Sequence, residues 1–181
     1  MTAPFLDRIS TARLQGRRIV LADLDHLHAV YSDPEVQRGL YGELPTREQT
    51  AARLDRWLKI WADHGYGFWV FRDASGADVA HGGLFPSPHA AGCVELGYIV
   101  TPSAWGNGYA TEITGALLDV AFAILKLDRV VANTGPGNAA SRRVLEKNGF
   151  RLERESLYKG EWPNLEFERD RAGWDSARST S

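Results

Sequence analysis

A single cysteine, Cys93, stands among 181 residues. No internal disulfide framework can form, and a reducing compartment is the expectation. Runs of about 18 apolar residues are missing too, so no membrane-spanning helix is read. The first residues lack the basic-then-apolar order of a signal peptide, which makes the cytoplasm the expected location. Charge of one sign is not in excess: the net charge of −2 offers no general attraction for nucleic acid or an anionic membrane. Histidines are few and scattered. His26 and His28 diverge on one helix, His64, His81 and His89 are far apart, and no metal-ligand spacing occurs, so no metal is expected. Repeats, low-complexity tracts and linkers are absent. The reading is one domain over 1–181, with its core at about 9–171 and a polar, flexible tail over 172–181.

What is present is an ordinary globular composition, 44% hydrophobic and 24% charged. Arg13 to Ala22 reads as a first strand with Gly16 as a bulge or turn. Asp23 or Asp25 caps a short helix through Tyr31. Ser32-Asp33-Pro34-Glu35 starts another, with Pro34 suited to the first helical position. Thr46 to Asp63 is an amphipathic helix in which Leu54, Trp57, Leu58 and Trp61 follow i, i+3, i+4, i+7 spacing. This spacing assigns Trp57 and Trp61 to the core. Strands follow at Phe68–Arg72, Asp78–Leu84 and Val94–Val100, with hairpin-like connections. Tyr109–Leu125 is a second helix, Arg129–Asn133 a strand, and Asn138–Asn148 a third helix capped by Asn138 and stopped by Gly149. Phe150–Tyr158 and Leu165–Arg171 close the sheet. The order gives an α+β (mixed α/β) fold: a mostly antiparallel sheet of about six to seven strands flanked by helices.

The most informative segment is Glu95 to Thr111, ELGYIVTPSAWGNGYAT. It passes from an apolar strand through a glycine-bearing loop directly into a helix. Helix starts expose unpaired N–H groups and the positive end of the helix dipole. Gly106 and Gly108 let a bulky anion approach that backbone. Three readings compete: a turn that merely holds glycines, a dinucleotide fingerprint, and a coenzyme A pyrophosphate site. The fingerprint fits poorly, because Thr111 occupies its third glycine position and Asp128 precedes the next strand instead of ending it. A nucleoside-triphosphate loop is excluded, since no GxxxxGK[ST] occurs.

The pattern extends well beyond the loop. It begins with Thr11, Arg13 and Leu14 (T-x-R-L), Ser32 to Val36 (SDPEV) and Glu95 to Tyr98 (ELGY). It continues with Trp105 to Glu112 (WGNGYATE) and closes with Asn138 to Phe150 in N-x-x-S-x-x-V-L-E-K-x-G-F spacing. Over about residues 9–171 the chain resembles the GNAT superfamily of acyl-CoA-dependent N-acetyltransferases. Trp105 at the Gln/Arg position of the loop is typical of its RimJ/RimL branch. The resemblance implies a splayed parallel strand pair at the cofactor site and acetyl-CoA as co-substrate. Backbone of Tyr98, Ile99 and Val100 would line the pantetheine arm. Backbone N–H groups of Gly106, Asn107, Gly108, Tyr109, Ala110 and Thr111 would bind the pyrophosphate, with Asn138 contacting the cofactor. The acceptor would be a primary amine, either a protein N-terminus or a small molecule. Dimers are common in the family, which leaves a homodimer open.

Acetyl transfer requires a held thioester, a deprotonated amine, stabilisation of the developing oxyanion and a proton for the leaving thiolate. The amine has a pKa of about 8 as an α-amino group or about 10 as lysine, so its proton needs a route. Glu95, in an otherwise apolar strand beside the expected thioester, is the candidate general base, directly or through water; burial would raise its pKa toward working pH. Many family members place a tyrosine seven residues after the motif asparagine, but Leu145 stands there. Ser141, one helical turn after Asn138, is the candidate partner of the coenzyme A sulfur. The oxyanion would fall to a backbone N–H near Ile99 or Val100. Cys93, with no assured base, is discounted as a nucleophile. An enzyme attacking directly within a ternary complex is the reading; a non-catalytic acyl-CoA-binding or sensing module is the alternative.

Overall fold

Caps and apolar spacing divide the chain into eight strands and six helices in the computed structural model, which describes residues 6–40, 43–158 and 160–179. In order these are β1 (Arg8–Ser10), β2 (Gln15–Arg18), α1 (Leu24–Tyr31), α2 (Pro34–Gln37), α3 (Arg47–His64), β3 (Phe68–Arg72), β4 (Asp78–Pro86) and β5 (Val94–Val100). They continue with α4 (Tyr109–Asp119), β6 (Arg129–Thr134), α5 (Ala139–Lys147), β7 (Arg151–Tyr158), β8 (Trp162–Asp170) and α6 (Arg171–Arg178). Helix α3 starts on a reciprocal cap. Thr46 Oγ1 accepts from the Gln49 N–H at 3.3 Å, and Gln49 Oε1 accepts from the Thr46 N–H at 2.8 Å. It stops at Gly65, whose φ of 73° lies in the left-handed region. Asp33 caps α2 with Pro34 in its first turn.

The strands form one sheet in the order β1-β2-β3-β4-β5-β6-β8-β7. Every neighbour pair is antiparallel except β5 with β6. The expected class therefore holds, with one strand more than the six to seven read from the sequence. The addition is β1, whose three residues are too few to display an alternating pattern. It returns through the Thr11–Leu14 turn to β2, which ends at Arg18 and not at Ala22.

The parallel pair matters most. Its register covers only Val94↔Val130 and Glu95↔Val131. Beyond Glu95, β5 continues to Val100 on β4 alone, while β6 continues to Thr134 on β8 alone. The two strands thus part from Leu96 onward. The sheet's two faces carry different helices. Glu95, Gly97 and Ile99 share a face with His81 and Phe85, because residues alternate along each strand. Trp57 of α3 stacks on Phe68 there, at 3.9 Å between ring centroids. Leu96, Tyr98 and Val100 share the opposite face with Gly82. Ile113 of α4 packs so close to Gly82 that an added Cβ would lie 3.1 Å from its Cγ2.

Two boundaries differ from the sequence reading. Helix α4 gives way at Val120–Ile124 to a wider turn, in which the Leu125 N–H bonds to the Val120 carbonyl. The tail read as frayed forms α6 over Arg171–Arg178. Asp170 caps it at 2.6 Å from the Gly173 N–H, and the Trp174 ring lies 5.5 Å from that of Phe122. Residues 180–181 of that tail lie outside the described residues. Among the described residues no helix is long and apolar enough to cross a membrane.

Candidate active site

The loop into α4 is held in place by the N-terminal hairpin. Arg13 donates from Nη1 to the Asn107 carbonyl at 2.8 Å and from Nε to Glu112 Oε2 at 2.7 Å, and its backbone N–H reaches Glu112 Oε1 at 2.8 Å. Thr11 also donates to Glu112. Burial pushes the Glu112 pKa up, but these donors outweigh it and hold the carboxyl below its ordinary value. The T-x-R-L and W-G-x-G-Y-A-T-E motifs are therefore two halves of one clamp. Trp105 adds a third tie, donating from its indole to the Val100 carbonyl at 2.8 Å.

This clamp sets the backbone in an unusual shape. Gly106 and Gly108 have φ of 79° and 77°, in the left-handed region that favours glycine. A Cβ at Gly106 would meet nothing within 4 Å, so the ground above that backbone is open. The N–H groups of the first turn of α4 have no intrahelical acceptor. A cavity of about 600 Å³ lies over them. Tyr98, Ile99, Val100, Gly106, Gly108, Tyr109, Ala110, Thr111, Asn138 and Ser141 all line it. Of the residues expected at the cofactor, Asn107 alone does not. Its carboxamide folds back onto the carbonyls of Ala104 at 3.0 Å and Trp105 at 3.3 Å. Asn138 is engaged at both ends of its amide: its Oδ1 accepts from the Ser141 N–H at 3.1 Å and its Nδ2 donates to the Gly39 carbonyl at 3.3 Å. It caps α5 and ties that helix to the turn after α2.

A second cavity, of about 630 Å³, opens on the other side of the splay. Its walls come from α1, α2, α3, β3, β4, β5, β6, α5 and β7 with loops between them, and it shares Gly39, Leu40, Tyr98, Ile99, Asn138 and Ser141 with the first. Glu95 lines only this second cavity and is 8% exposed. Burial raises its pKa above the ordinary carboxylate value, while the Asn133 side chain and Ser87, whose Oγ donates at 2.9 Å, pull the other way. Ser141 lies at the junction. Its Oγ is 3.1 Å from the Tyr98 hydroxyl, and burial pushes that phenol up to about 12. Tyr98 is thus protonated at neutral pH, and either hydroxyl of the pair can donate to the other. Leu145 is buried in the wall, with no polar atom to offer.

Several of these placements have no signal in the sequence. Tyr98 was read for its backbone, yet its side chain faces Ser141, 43 residues away in the chain. Ser87, in the loop after β4, and Asn133 of β6 reach Glu95 from either side. Trp57 packs in the core as its spacing predicts and also walls the second cavity. His81 is buried, with Nε2 3.1 Å from the Tyr31 hydroxyl, and burial lowers its pKa to about 3. Cys93 is buried and lines neither cavity. Among the described residues no three His, Cys, Asp or Glu side chains group in a way that could hold a metal ion.

A mixed sheet with one splayed parallel pair, and a helix start aimed into the gap, defines an acyltransferase-type frame. Comparison with known proteins agrees. Residues 13–151 match the model of the acetyltransferase (GNAT) domain, and the chain belongs to that family. It is 27% identical to the uncharacterised N-acetyltransferase YoaA of Bacillus subtilis, over 86% of this chain and 90% of that protein. It is 32% identical to the FsC-acetyl coenzyme A-N(2)-transacetylase of Aspergillus fumigatus, over 83% of this chain and 67% of that one. Among solved structures, an acetyltransferase from Agrobacterium tumefaciens superposes with a TM-score of 0.80 at 25% identity, covering 93% of this chain and 95% of that one. AAC(6')-Ib, solved with paromomycin and acetyl-CoA, gives 0.80 at 16% identity over 93% and 99%, a likeness of fold alone. The protein is an enzyme, an acetyl-CoA-dependent N-acetyltransferase.

Proposed function

We propose that the protein moves an acetyl group from acetyl-CoA to a primary amine by direct attack in a ternary complex, with Glu95 as base and Ser141 with Tyr98 as the proton source for the leaving sulfur. The observation that carries this reading is the pair of cavities meeting at Tyr98 and Ser141. One cavity is floored by a helix start, and the other contains a single buried carboxyl, Glu95. When bound, acetyl-CoA supplies an acyl group already activated as a thioester. The backbone of Gly106 to Thr111 holds its diphosphate, and the strand edge at Tyr98 to Val100, unpaired on the β6 side, takes the pantetheine arm as an added strand takes its neighbour. Asn107 contributes through its main chain, and Asn138 through the helix start that it caps.

Glu95 and Tyr98 project from opposite faces of β5. A reacting carbon in the gap therefore has its base on one side and its acid on the other. Glu95 accepts the amine proton, directly or through water, as the new C–N bond forms. The C–S bond breaks, and Ser141, hydrogen-bonded to Tyr98, gives the sulfur a proton. A backbone N–H at Ile99 or Val100 faces the carbonyl oxygen. The motif run from Thr11 to Phe150 supports the RimJ/RimL branch, and the single thiol fits the cytoplasm. A protein N-terminus and a small amine both suit the reaction, and a homodimer is compatible with it.

The test is release of free thiol from acetyl-CoA with a panel of amines, with acetylated products identified by mass spectrometry. Amine-dependent release at rates well above hydrolysis is expected. Tight acetyl-CoA binding without transfer to any amine would overturn the reading in favour of an acyl-CoA sensor.

A further inference from the structure

The charge inside the acceptor-side cavity is what the transfer chemistry leaves unexplained. Arg53 and Arg56 stand three residues apart on α3, on one side of the helix, and both line the cavity. Most other arginines meet carboxylates, as Arg13 does Glu112 and Arg17 does Asp23, and those that do not, such as Arg169 on the Gly149 carbonyl, lie outside this cavity. Among the described residues no ion pair includes Arg53 or Arg56. The Arg53 guanidinium lies instead 4.0 Å from the centroid of the Tyr31 ring, whose hydroxyl meets His81. Two carboxyls share the walls. Glu43 is exposed at the rim, and Glu95 is buried and engaged by Ser87 and Asn133. Arg53 is half-buried and Arg56, like Glu43, is exposed, so the positive charge set within the cavity is that of Arg53, with Arg56 beside it toward solvent.

An apolar track joins the two ends. Trp57 stacks on Phe68 at 3.9 Å, and Phe68 on Phe85 at 5.5 Å. His81, beside Trp57 at 5.5 Å, marks the arginine end; Phe85, paired with Glu95, marks the other. Four residues of β4 separate those two positions, about 13 Å of strand. A polyamine lying along this track would bring positive charge against two guanidinium groups at close range, where like charges repel strongly. An anion would be taken by the arginine fork in paired hydrogen bonds.

We propose that the acceptor is a small amine that also carries an anionic group, carboxylate or phosphate, several ångströms from its nitrogen. The nitrogen lies toward Glu95, an apolar body lies along Trp57, Phe68 and Phe85, and the anion rests on Arg53 and Arg56. This rests on the acetyl-transfer reading and names its substrate class.

A molecular ruler tests it. Straight-chain ω-aminocarboxylates of increasing length, their carboxamides, the matching ω-aminoalkyl phosphates and the matching diamines are offered with acetyl-CoA. At the best length the anion is expected to exceed its carboxamide in kcat/KM by about tenfold or more, with the diamine poorest. Carboxylate against phosphate at that length tells which anion the site takes. Arg53→Met should remove the preference through KM while leaving coenzyme A affinity unchanged, and Arg53→Lys should restore part of it. Carboxamides or diamines used as well as anions would overturn the proposal, as would an unchanged ratio in the Arg53→Met, Arg56→Met double variant. If no amine at all is acetylated, the transferase reading fails instead. Calorimetry of 6-aminohexanoate against its amide on the coenzyme A-loaded protein then still decides the anion site: equal affinities reject it.

Discussion

The two cavities that meet at Tyr98 are nearly equal in size, about 600 and 630 Å³, and are built by opposite means. The side proposed for the cofactor is made of main chain: a loop with two left-handed glycines, the first turn of α4 and an unpaired strand edge. Side chains there serve the backbone. Arg13 and Trp105 hold the loop from outside, and Asn138 caps the neighbouring helix. The acceptor side is made of side chains brought together from many elements: Tyr31 of α1, Arg53 and Trp57 of α3, His81 and Phe85 of β4 and Glu95 of β5 among them. A backbone site recognises what every cofactor molecule shares, its diphosphate. A side-chain site can be rebuilt one residue at a time around a different acceptor. The two halves of this enzyme thus stand under different constraints, and substitutions should separate them.

The sharpest break falls on the backbone side. Gly108→Val places a β-branched residue at a φ of 77° with its Cβ 3.5 Å from Arg13 Nη2, so it strains the loop and crowds the clamp that holds it. Loss of acetyl-CoA affinity by about a hundredfold or more is expected by calorimetry, since the strained loop and the crowded Arg13 clamp both displace the N–H groups proposed to meet the diphosphate. Affinity within twofold of wild type would show that the loop is only a turn. No acceptor-side substitution should approach this effect on the cofactor.

The same contrast explains how much could be read without coordinates. The strand at Val94–Val100, the helix from Tyr109 and the Asn138 cap are all local: each depends on residues within a turn or two. Their boundaries came out close, and the candidate cradle followed from one continuous segment. What stayed hidden is non-local. Tyr98 meets Ser141 only because β5 and β6 diverge, and the Arg13–Glu112 clamp joins residues about a hundred positions apart. Nothing in the helical spacing of α3 says that Trp57 and Arg53 also wall a cavity, because a core face and a cleft face use the same periodicity. The helix at Arg171–Arg178 was missed for a similar reason: its one large apolar anchor, Trp174, finds Phe122 across the fold.

At the junction the predicted effect is smaller. Tyr98→Phe and Ser141→Ala each remove one hydroxyl of a pair 3.1 Å apart, so either can cover in part for the other. The expected pattern is non-additive. Each single change lowers kcat severalfold, and the double change lowers it by about a hundredfold, typical of losing a general acid. KM for acetyl-CoA should stay near wild type. Normal kcat in Ser141→Ala would demote the serine to part of the helix cap.

The most diagnostic effect is expected at Glu95, where it depends on pH. Its carboxyl is held above the ordinary value by burial, so it binds its proton more tightly folded than unfolded. The sign follows from linkage. Its contribution to stability is full below the ordinary value near 4.5 and falls as pH rises through the raised folded value. A neutral glutamine at this position escapes that loss, so Glu95→Gln should melt at the same or a higher temperature than wild type at neutral pH. Turnover should move the other way. Between the raised Glu95 pKa and that of the amine, wild type has a free base and a protonated nucleophile, and there the variant should lose about tenfold in kcat. The penalty should shrink at high pH, where the amine sheds its own proton, and cofactor affinity should not change. A residue that merely filled space would lower the melting temperature and leave the pH profile parallel to wild type; a base does the reverse, because the burial that tunes it for proton transfer is the same burial that makes its charged form costly to keep.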